Sequence, residues 1–225
     1  KEKETNFMKE YDFDIFDYFK PPFKNKVIGL AFNYKSLVSE KNKDQEPLIF
    51  LKSSTSLIFN NDEIIYNKIF NKIWIEAELC IIIGKEGKNI KAQNAKDYIL
   101  GYTCGNDVTA ENILNRDWHL ARSKGSDTFA PIGPKIINGL DTSNLRIQSF
   151  INGIKKQDST TSDRILNDYE CVELVSTFMR LIPGDIIFTG TPAGATDAIV
   201  KPGDKVTIEI ERIGKITNSI KIQNI

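Results

Sequence analysis

Glu76 and Glu78 stand two residues apart in "WIEAELCIIIG", residues 74–84, a run whose other members are almost all apolar. Residues two apart point to nearly opposite sides of a helix but to the same face of a strand. The run is rich in β-branched residues and stops at Gly84, so it reads as a strand. Both carboxylates then share one face, while Ile75, Ala77, Leu79 and Ile81 fill the other. Like charges this close repel, and burying them is costly unless a positive group lies between them. Either that face is solvated or it holds a cation. A third carboxylate, Asp107 in "CGNDVTAEN", ends a strand-like run and precedes a helical pattern. It serves there as a strand-end turn, a helix cap or part of a site. Three carboxylates with no nitrogen or sulfur ligand suit a hard cation, Mg²⁺ first, then Mn²⁺ or Ca²⁺. Spacing alone leaves open whether Asp107 meets the glutamate pair.

Other chemistries are excluded by what the chain lacks. His119 is its only histidine, so no site needing several imidazoles can form. No Ser-His-Asp spacing and no phosphate-binding glycine loop occur. Cys80, Cys104 and Cys171 are scattered and odd in number, which points to a reducing compartment, the cytoplasm by default. Thirty acidic residues balance thirty basic ones, so nothing recommends a nucleic acid partner. No apolar stretch approaches the roughly 20 residues that span a bilayer. The charged start, "KEKETNFMKE", is no secretory signal.

The elements that must position these residues are mostly strands. "KVIGLAF" (26–32), "LIFLK" (48–52), "EIIYN" (63–67) and "LGYTCGND" (100–107) read as strands, with a short helical patch near Ala95–Ile99. A helix is expected from about Thr109 to Ser123. "LRIQSFINGIKKQ" (145–157) sets Asn152-Gly153 between alternating flanks, a strong hairpin signal. "ECVELVSTFMRLI" (170–182) carries apolar residues at helical spacing. Pro-Gly-Asp occurs at 183–185 and 202–204, each time launching an apolar strand, and the last 20 residues read as a hairpin turning at Gly214. The expected architecture is strand-rich mixed α/β. Residues 1–25 form an N-terminal arm and 26–225 a single domain.

Seven stretches, in order, resemble the fumarylacetoacetate hydrolase family in its small single-domain form. They are "GLAFNYKSLVSE", "PLIFLKSSTSLI", "EAELCIIIG", "GNDVTAEN", "RSKGSDTFAPIGP", "PGDIIFTGTPAG" and "KPGDKVTIEIERIG". Together they cover roughly residues 26–222. The resemblance implies a β-sandwich or roll with a few short helices. It makes Glu76, Glu78 and Asp107 the ligands of Mg²⁺ or Mn²⁺. It further implies a 2-oxo acid or its enol as substrate, a metal-stabilised enolate, and a homodimer. Lys124 becomes the catalytic lysine that binds substrate charge, with a pKa lowered by the nearby cation. Thr191 and the backbone of Gly190 become substrate-binding groups. Lys52 lies near the site or is structural, Tyr34 packs the base of a lid over residues 33–46, and His119 is a partly exposed helix residue.

The departures bear on the chemistry. The family lid reads Asn-Tyr, then His three residues on, then Glu. Asn33, Tyr34 and Glu40 match, but Leu37 stands at the His position and cannot carry a proton. Glu40 is left as the catalytic carboxylate of the lid. Glu111, Asn112 and Leu114 replace an Arg, an Asp and a Gln, which disfavours a second distant carboxylate on the substrate. Three activities follow. The first is an isomerase or tautomerase of 2-hydroxy-dienoate or 2-oxo-dicarboxylate type. The second is an acylpyruvate hydrolase or oxaloacetate decarboxylase. The third is a catalytically weak protein that binds metal and a keto acid. Loss of the lid His favours the first or the third, and the retained Glu76, Glu78, Asp107, Lys124 and Thr191 argue against the third.

Overall fold

Alternating and β-branched runs set the strands, and the faces those runs must bury set how the sheets meet. The computed structural model describes residues 25–38, 45–112 and 115–223. Residues 1–24 of the expected arm, and also Glu40 and Leu114, lie outside them.

The strands run β1 (Val27–Ala31), β2 (Leu48–Lys52), β3 (Leu57–Ile58), β4 (Glu63–Tyr66), β5 (Ile73–Trp74), β6 (Ala77–Ile83), β7 (Ile99–Asn106) and β8 (Thr109–Ala110). They continue as β9 (Ala130–Ile137), β10 (Arg146–Ile151), β11 (Ile154–Thr160), β12 (Ile186–Phe188), β13 (Ile199–Val200), β14 (Lys205–Ile210) and β15 (Gly214–Ile222). Helix α1 (Asp168–Phe178) precedes β12. Among the described residues they form a seven-stranded sheet, β2-β1-β12-β6-β7-β9-β3, and a five-stranded sheet, β11-β10-β14-β15-β4. A small third sheet is ordered β13-β5-β8.

The two larger sheets bury one apolar cluster between them. Ile28, Leu30, Leu79, Ile81 and Ile187 meet Ile147, Val206, Ile208, Ile216 and Ile220, and α1 adds Cys171, Val172 and Val175. Burying each such aliphatic side chain is worth about 1.5–3 kcal/mol against leaving it in water. The expected alternation in β6 holds, since Ile75, Ala77, Leu79 and Ile81 all enter this cluster. Cys80 and Ile82, on the other face, join Val27, Ile186 and Phe188 in a second cluster. Strand β6 is therefore buried on both sides, and Glu78 shares its face with Cys80 and Ile82.

The turns follow their chemistry. Asn152 and Gly153 have φ of 51° and 80° and join β10 to β11 as the sequence predicts. In both Pro-Gly-Asp turns the aspartate closes the loop: Asp185 accepts from the Lys26 and Ile182 N–H groups, and Asp204 from the Lys201 N–H and the Asn152 amide. Helix α1 begins at a capping box, with Asn167 accepting from Glu170 N and the Glu170 carboxylate accepting from Asn167 N.

The helix expected from Thr109 to Ser123 is not present among the described residues of that stretch. Thr109 and Ala110 instead form β8, paired with Trp74 and Ile73. Beyond them Asn115 and Leu120 take left-handed φ of 51° and 57°, which a right-handed helix cannot contain. The Asp117 carboxylate captures the N–H groups of Arg122 and Ser123 and the Ser123 hydroxyl, which offers the backbone an alternative to helical bonds. His119 accordingly lies exposed in a turn, not in a helix. No helix of the described residues is long and apolar enough to cross a membrane.

Candidate functional site

Glu76 lies between β5 and β6, Glu78 at the start of β6, and Asp107 just past the end of β7. The β6–β7 ladder sets Glu78 opposite Gly105, and the Asp107 N–H donates to the Glu76 carbonyl at 3.0 Å. This register delivers the third carboxylate to the first two, which spacing could not show. One oxygen from each of Glu76, Glu78 and Asp107 lies within 4.8 Å of the others. The site is deep: Glu76 is 9% exposed, Glu78 2% and Asp107 0%.

Two lysines reach the triad. Lys124 Nζ lies 2.5 Å from Asp107 Oδ2, 3.0 Å from Glu76 Oε2 and 2.6 Å from Thr109 Oγ1. Lys52 Nζ lies 2.5 Å from Asp107 Oδ1 and also donates to the Val108 carbonyl. Burial works against both ammonium groups. For Lys124 the charges of Asp107 and Glu76 outweigh it and raise the pKa above the ordinary lysine value. For Lys52 burial wins and lowers the pKa, although Asp107 opposes it. The lowering expected for Lys124 was the effect of a nearby cation; the carboxylates alone act in the opposite sense, because its ammonium touches two of them directly. Burial pushes Asp107 up, but Lys124 and Lys52 pull it below the usual carboxylate range.

Glu78 is held differently. Its Oε2 accepts the Gly190 N–H at 2.7 Å, and no lysine or arginine pairs with it among the described residues. Burial first, then the charges of Asp107 and Glu76, raise its pKa well above the ordinary value. Gly190 adopts φ 95°, and a Cβ there would come within 2.9 Å of the Leu30 carbonyl oxygen. Only glycine turns the chain so that this N–H faces the carboxylate. With all five groups ionised, three carboxylates against two ammonium groups would leave the cluster one negative charge in excess. An all-oxygen donor set with a buried carboxylate lacking a cationic partner fits a hard divalent ion.

The loop that carries Lys124 is built by side chains. Asn112 Oδ1 accepts the Asp117 N–H, Asp117 anchors residues 122 and 123, and Lys124 N donates to the Leu120 carbonyl. Phe50 on β2 lies under the ammonium, 5.0 Å from Lys124 Nζ to the ring centroid. Gly29 makes that possible, because a Cβ on it would fall 2.1 Å from the Phe50 ring. Glu111 turns away from the triad to a loose pair with Lys72 at 3.8 Å.

Glu76, Glu78 and Lys124 open into one cavity of about 380 Å³, with Asp107 buried behind them. Glu76, Glu78, Thr109, Lys124 and Thr191 form its polar part, and Leu30, Phe32, Leu37, Leu48 and Leu120 are among its apolar walls. Leu37, in a short 3-10 turn at Lys35–Leu37, faces this space. The start of the expected lid segment is anchored: Tyr34 is fully buried. Asn33 accepts the Leu166 N–H and donates to the Thr189 carbonyl. The structure therefore gathers Glu76, Glu78, Asp107, Lys124, Gly190 and Thr191, and adds Lys52 as a direct partner of Asp107. His119 is outside the cavity.

Sequence reasoning missed three contributors. Trp74 Nε1 donates to Glu76 Oε1 at 2.7 Å, and Thr109 Oγ1 donates to the same oxygen at 2.9 Å. Both stand two residues from a triad member, a spacing that could have flagged them. Gln157, which donates to Thr191, arrives from the other large sheet and left no signal.

The family model described as "Fumarylacetoacetate (FAA) hydrolase C-terminal" matches residues 26–221. An uncharacterized protein of Methanocaldococcus jannaschii is 46% identical over 198 residues, 87% of this chain and 83% of that protein. A mitochondrial oxaloacetate tautomerase of Bos taurus is 36% identical over 213 residues, 87% of this chain and 66% of that protein. The structure of 5-carboxymethyl-2-hydroxymuconate delta-isomerase from Mycobacterium smegmatis is similar with a TM-score of 0.82 at 36% identity, covering 89% of this chain and 80% of that one. The structure of fumarylpyruvate hydrolase from Pseudomonas aeruginosa, in complex with Mn²⁺ and pyruvate, gives a TM-score of 0.80 at 26% identity, covering 88% and 90%.

Proposed function

This chain is an enzyme of the fumarylacetoacetate hydrolase family, and from that premise we propose that it interconverts the keto and enol forms of a 2-oxo acid, or isomerises a 2-hydroxy-dienoate. In this reading Glu76, Glu78 and Asp107 hold Mg²⁺ or Mn²⁺. A divalent ion there supplies Lewis-acid stabilisation of the negative charge that develops as a 2-oxo acid enolises. Lys124, kept charged by Asp107 and Glu76, supplies positive charge beside the substrate oxygens. The Thr191 hydroxyl binds the substrate carboxylate end, beside Gly190, whose N–H holds Glu78 in place. The apolar walls exclude water from the reacting carbon. Glu40 serves as the catalytic carboxylate of the lid, and residues 26–225 work as one domain.

The observation that carries the choice of reaction is Leu37. It faces the cavity, His119 does not, and so the described wall has no imidazole to activate water. Enolisation needs no activated water, whereas hydrolysis does. The tautomerase and isomerase relatives at 36% identity support the same choice, against 26% for the fumarylpyruvate hydrolase. That hydrolase's complex with Mn²⁺ and pyruvate supports the metal and the 2-oxo acid class.

The test is a Mg²⁺- or Mn²⁺-supplemented panel of acetylpyruvate, oxaloacetate and a 2-hydroxy-dienedioate, assayed separately for tautomerisation, C–C cleavage and CO₂ release. Tautomerisation or isomerisation is expected to be fastest. Leu37→His should raise cleavage selectively, by up to the roughly 10²-fold at the low end of general acid–base help. Ordinary cleavage by the wild type, unchanged in Leu37→His, would favour the hydrolase or decarboxylase reading.

A further inference from the structure

Gln157 sits on β11, in the five-stranded sheet, and is 2% exposed. Its amide is fully engaged. Oε1 accepts the Ala77 N–H at 3.0 Å and the Ser149 hydroxyl at 2.9 Å. Nε2 donates to Thr191 Oγ1 at 2.8 Å and to the Pro192 carbonyl at 2.9 Å. The orientation of this amide is forced. Ala77 N can only donate and the Pro192 carbonyl can only accept, so the flipped amide would set donor against donor and acceptor against acceptor.

That orientation decides what Thr191 can do. A hydroxyl has one proton and two lone pairs. One lone pair of Thr191 Oγ1 is taken by Gln157, and no protein acceptor takes its proton among the described residues. Thr191 lines the cavity beside Glu78 and Lys124. We propose that Gln157 is a positioning residue that makes the Thr191 hydroxyl a hydrogen-bond donor into the cavity, committed to an anionic oxygen of the bound 2-oxo acid. This rests on the proposed function, which puts that carboxylate at Thr191. The same amide holds Ala77 N, the backbone group between Glu76 and Glu78, so one side chain ties the spacing of the carboxylate pair to the substrate contact.

Oxalate is a suitable probe, because it presents a carboxylate and a second chelating oxygen and does not react. Its affinity for the Mn²⁺-loaded protein is measured by calorimetry in the wild type, Thr191→Val, Thr191→Ser, Gln157→Glu and Gln157→Met, and in both double variants with Thr191→Val. In Gln157→Glu the new oxygen beside Thr191 Oγ1 accepts the hydroxyl proton. In Gln157→Met the fixed donor is gone, and the hydroxyl proton is no longer committed to the cavity. A hydrogen bond to a charged group is lost in each, so each should weaken oxalate about tenfold, as should Thr191→Val. Thr191→Ser should bind as the wild type does. In the Thr191→Val background neither Gln157 substitution should cost more than about threefold, since the hydroxyl through which it acts is gone. Mn²⁺ affinity should stay within about threefold in Thr191→Val and Thr191→Ser. Oxalate is titrated into protein saturated with Mn²⁺, so that a shift in the Gln157 variants does not enter the comparison.

A Gln157 effect that persists in full without the Thr191 hydroxyl overturns the proposal and leaves the function standing. So does wild-type oxalate affinity in Thr191→Val, a result that needs no Gln157 variant to fold. A wild-type protein that binds Mn²⁺ but not oxalate overturns both this inference and the 2-oxo acid reading.

Discussion

Glu78 is the residue at which the metal-free fold and the proposed holoenzyme make opposite demands. Its carboxyl is held above the ordinary range by burial and by two neighbouring charges. At neutral pH the metal-free fold must either bury that charge or take up a proton, and either costs stability. Glu78→Gln keeps the shape and removes the charge. In EDTA it should therefore raise the melting temperature, about 2–4 °C for each kcal/mol of relief in a chain of this size. The same variant should lose most of the rise that Mn²⁺ gives the wild type. Melts with and without metal decide it: a variant that melts lower in EDTA, or keeps the whole metal-induced rise, contradicts this account of the site. The glutamate pair was legible because a period of two can be read along a string. The Lys52–Asp107 contact was not, since Lys52 and Asp107 lie 55 residues apart and meet only through the order of strands.

At the scale of elements, the loop from Asn112 to Lys124 depends on one acid. Hydrogen bonds from the Ser123 hydroxyl and from the Ser123 and Arg122 N–H groups outweigh the effect of burial and lower the Asp117 pKa. A carboxyl depressed in the folded state adds stability that is present above the unfolded value, near 3.9, and is lost as pH falls through the folded value. Asp117→Asn should therefore cost about 1–2 kcal/mol at pH 7, and the gap should narrow as the pH drops below about 4. Urea titrations at pH 7 and pH 3 measure it, and an equal gap at both would show that the charge has no part. This loop is also where sequence reading failed. Apolar spacing in "TAENILNRDWHLARSK" suggests a helix, but Asn112, Asn115 and Asp117 are residues that bond locally to backbone and tolerate turns. Helix α1 was legible from its apolar stripe, though it starts earlier, at the Asn167 cap, and ends at Phe178. The hairpin at Asn152-Gly153 was legible because its turn chemistry and its flanks agree. Where local and periodic signals conflict, tertiary contacts decide, as Thr109 shows by pairing with Trp74 in β8.

For the whole molecule, the open edge of the larger sheet bears on assembly. Strand β2 ends that sheet among the described residues, and Leu51 on it is exposed. We propose a homodimer, in which a second copy relieves the exposed edge. Light scattering at micromolar concentration should give twice the chain mass, and a monomer would refute it. A different consequence follows from how far apart in the chain the site's partners lie. Lys124 and Glu76 are 48 residues apart, and Gly190 and Glu78 are 112. Contacts of such long range carry the largest loop-closure cost and tend to form late in folding. The carboxylates lie at neighbouring strands, but their buried positions are held by these distant partners. An ion that needs all three in place then recognises the native state far better than the transition state. Adding Mn²⁺ should leave the refolding arm of a chevron where it is and lower the unfolding arm. Faster refolding with metal would mean that the strands bearing Glu76, Glu78 and Asp107 meet before the barrier. If they meet after it, the cation acts as a brake on unfolding, and stripping it shortens the lifetime of the native chain.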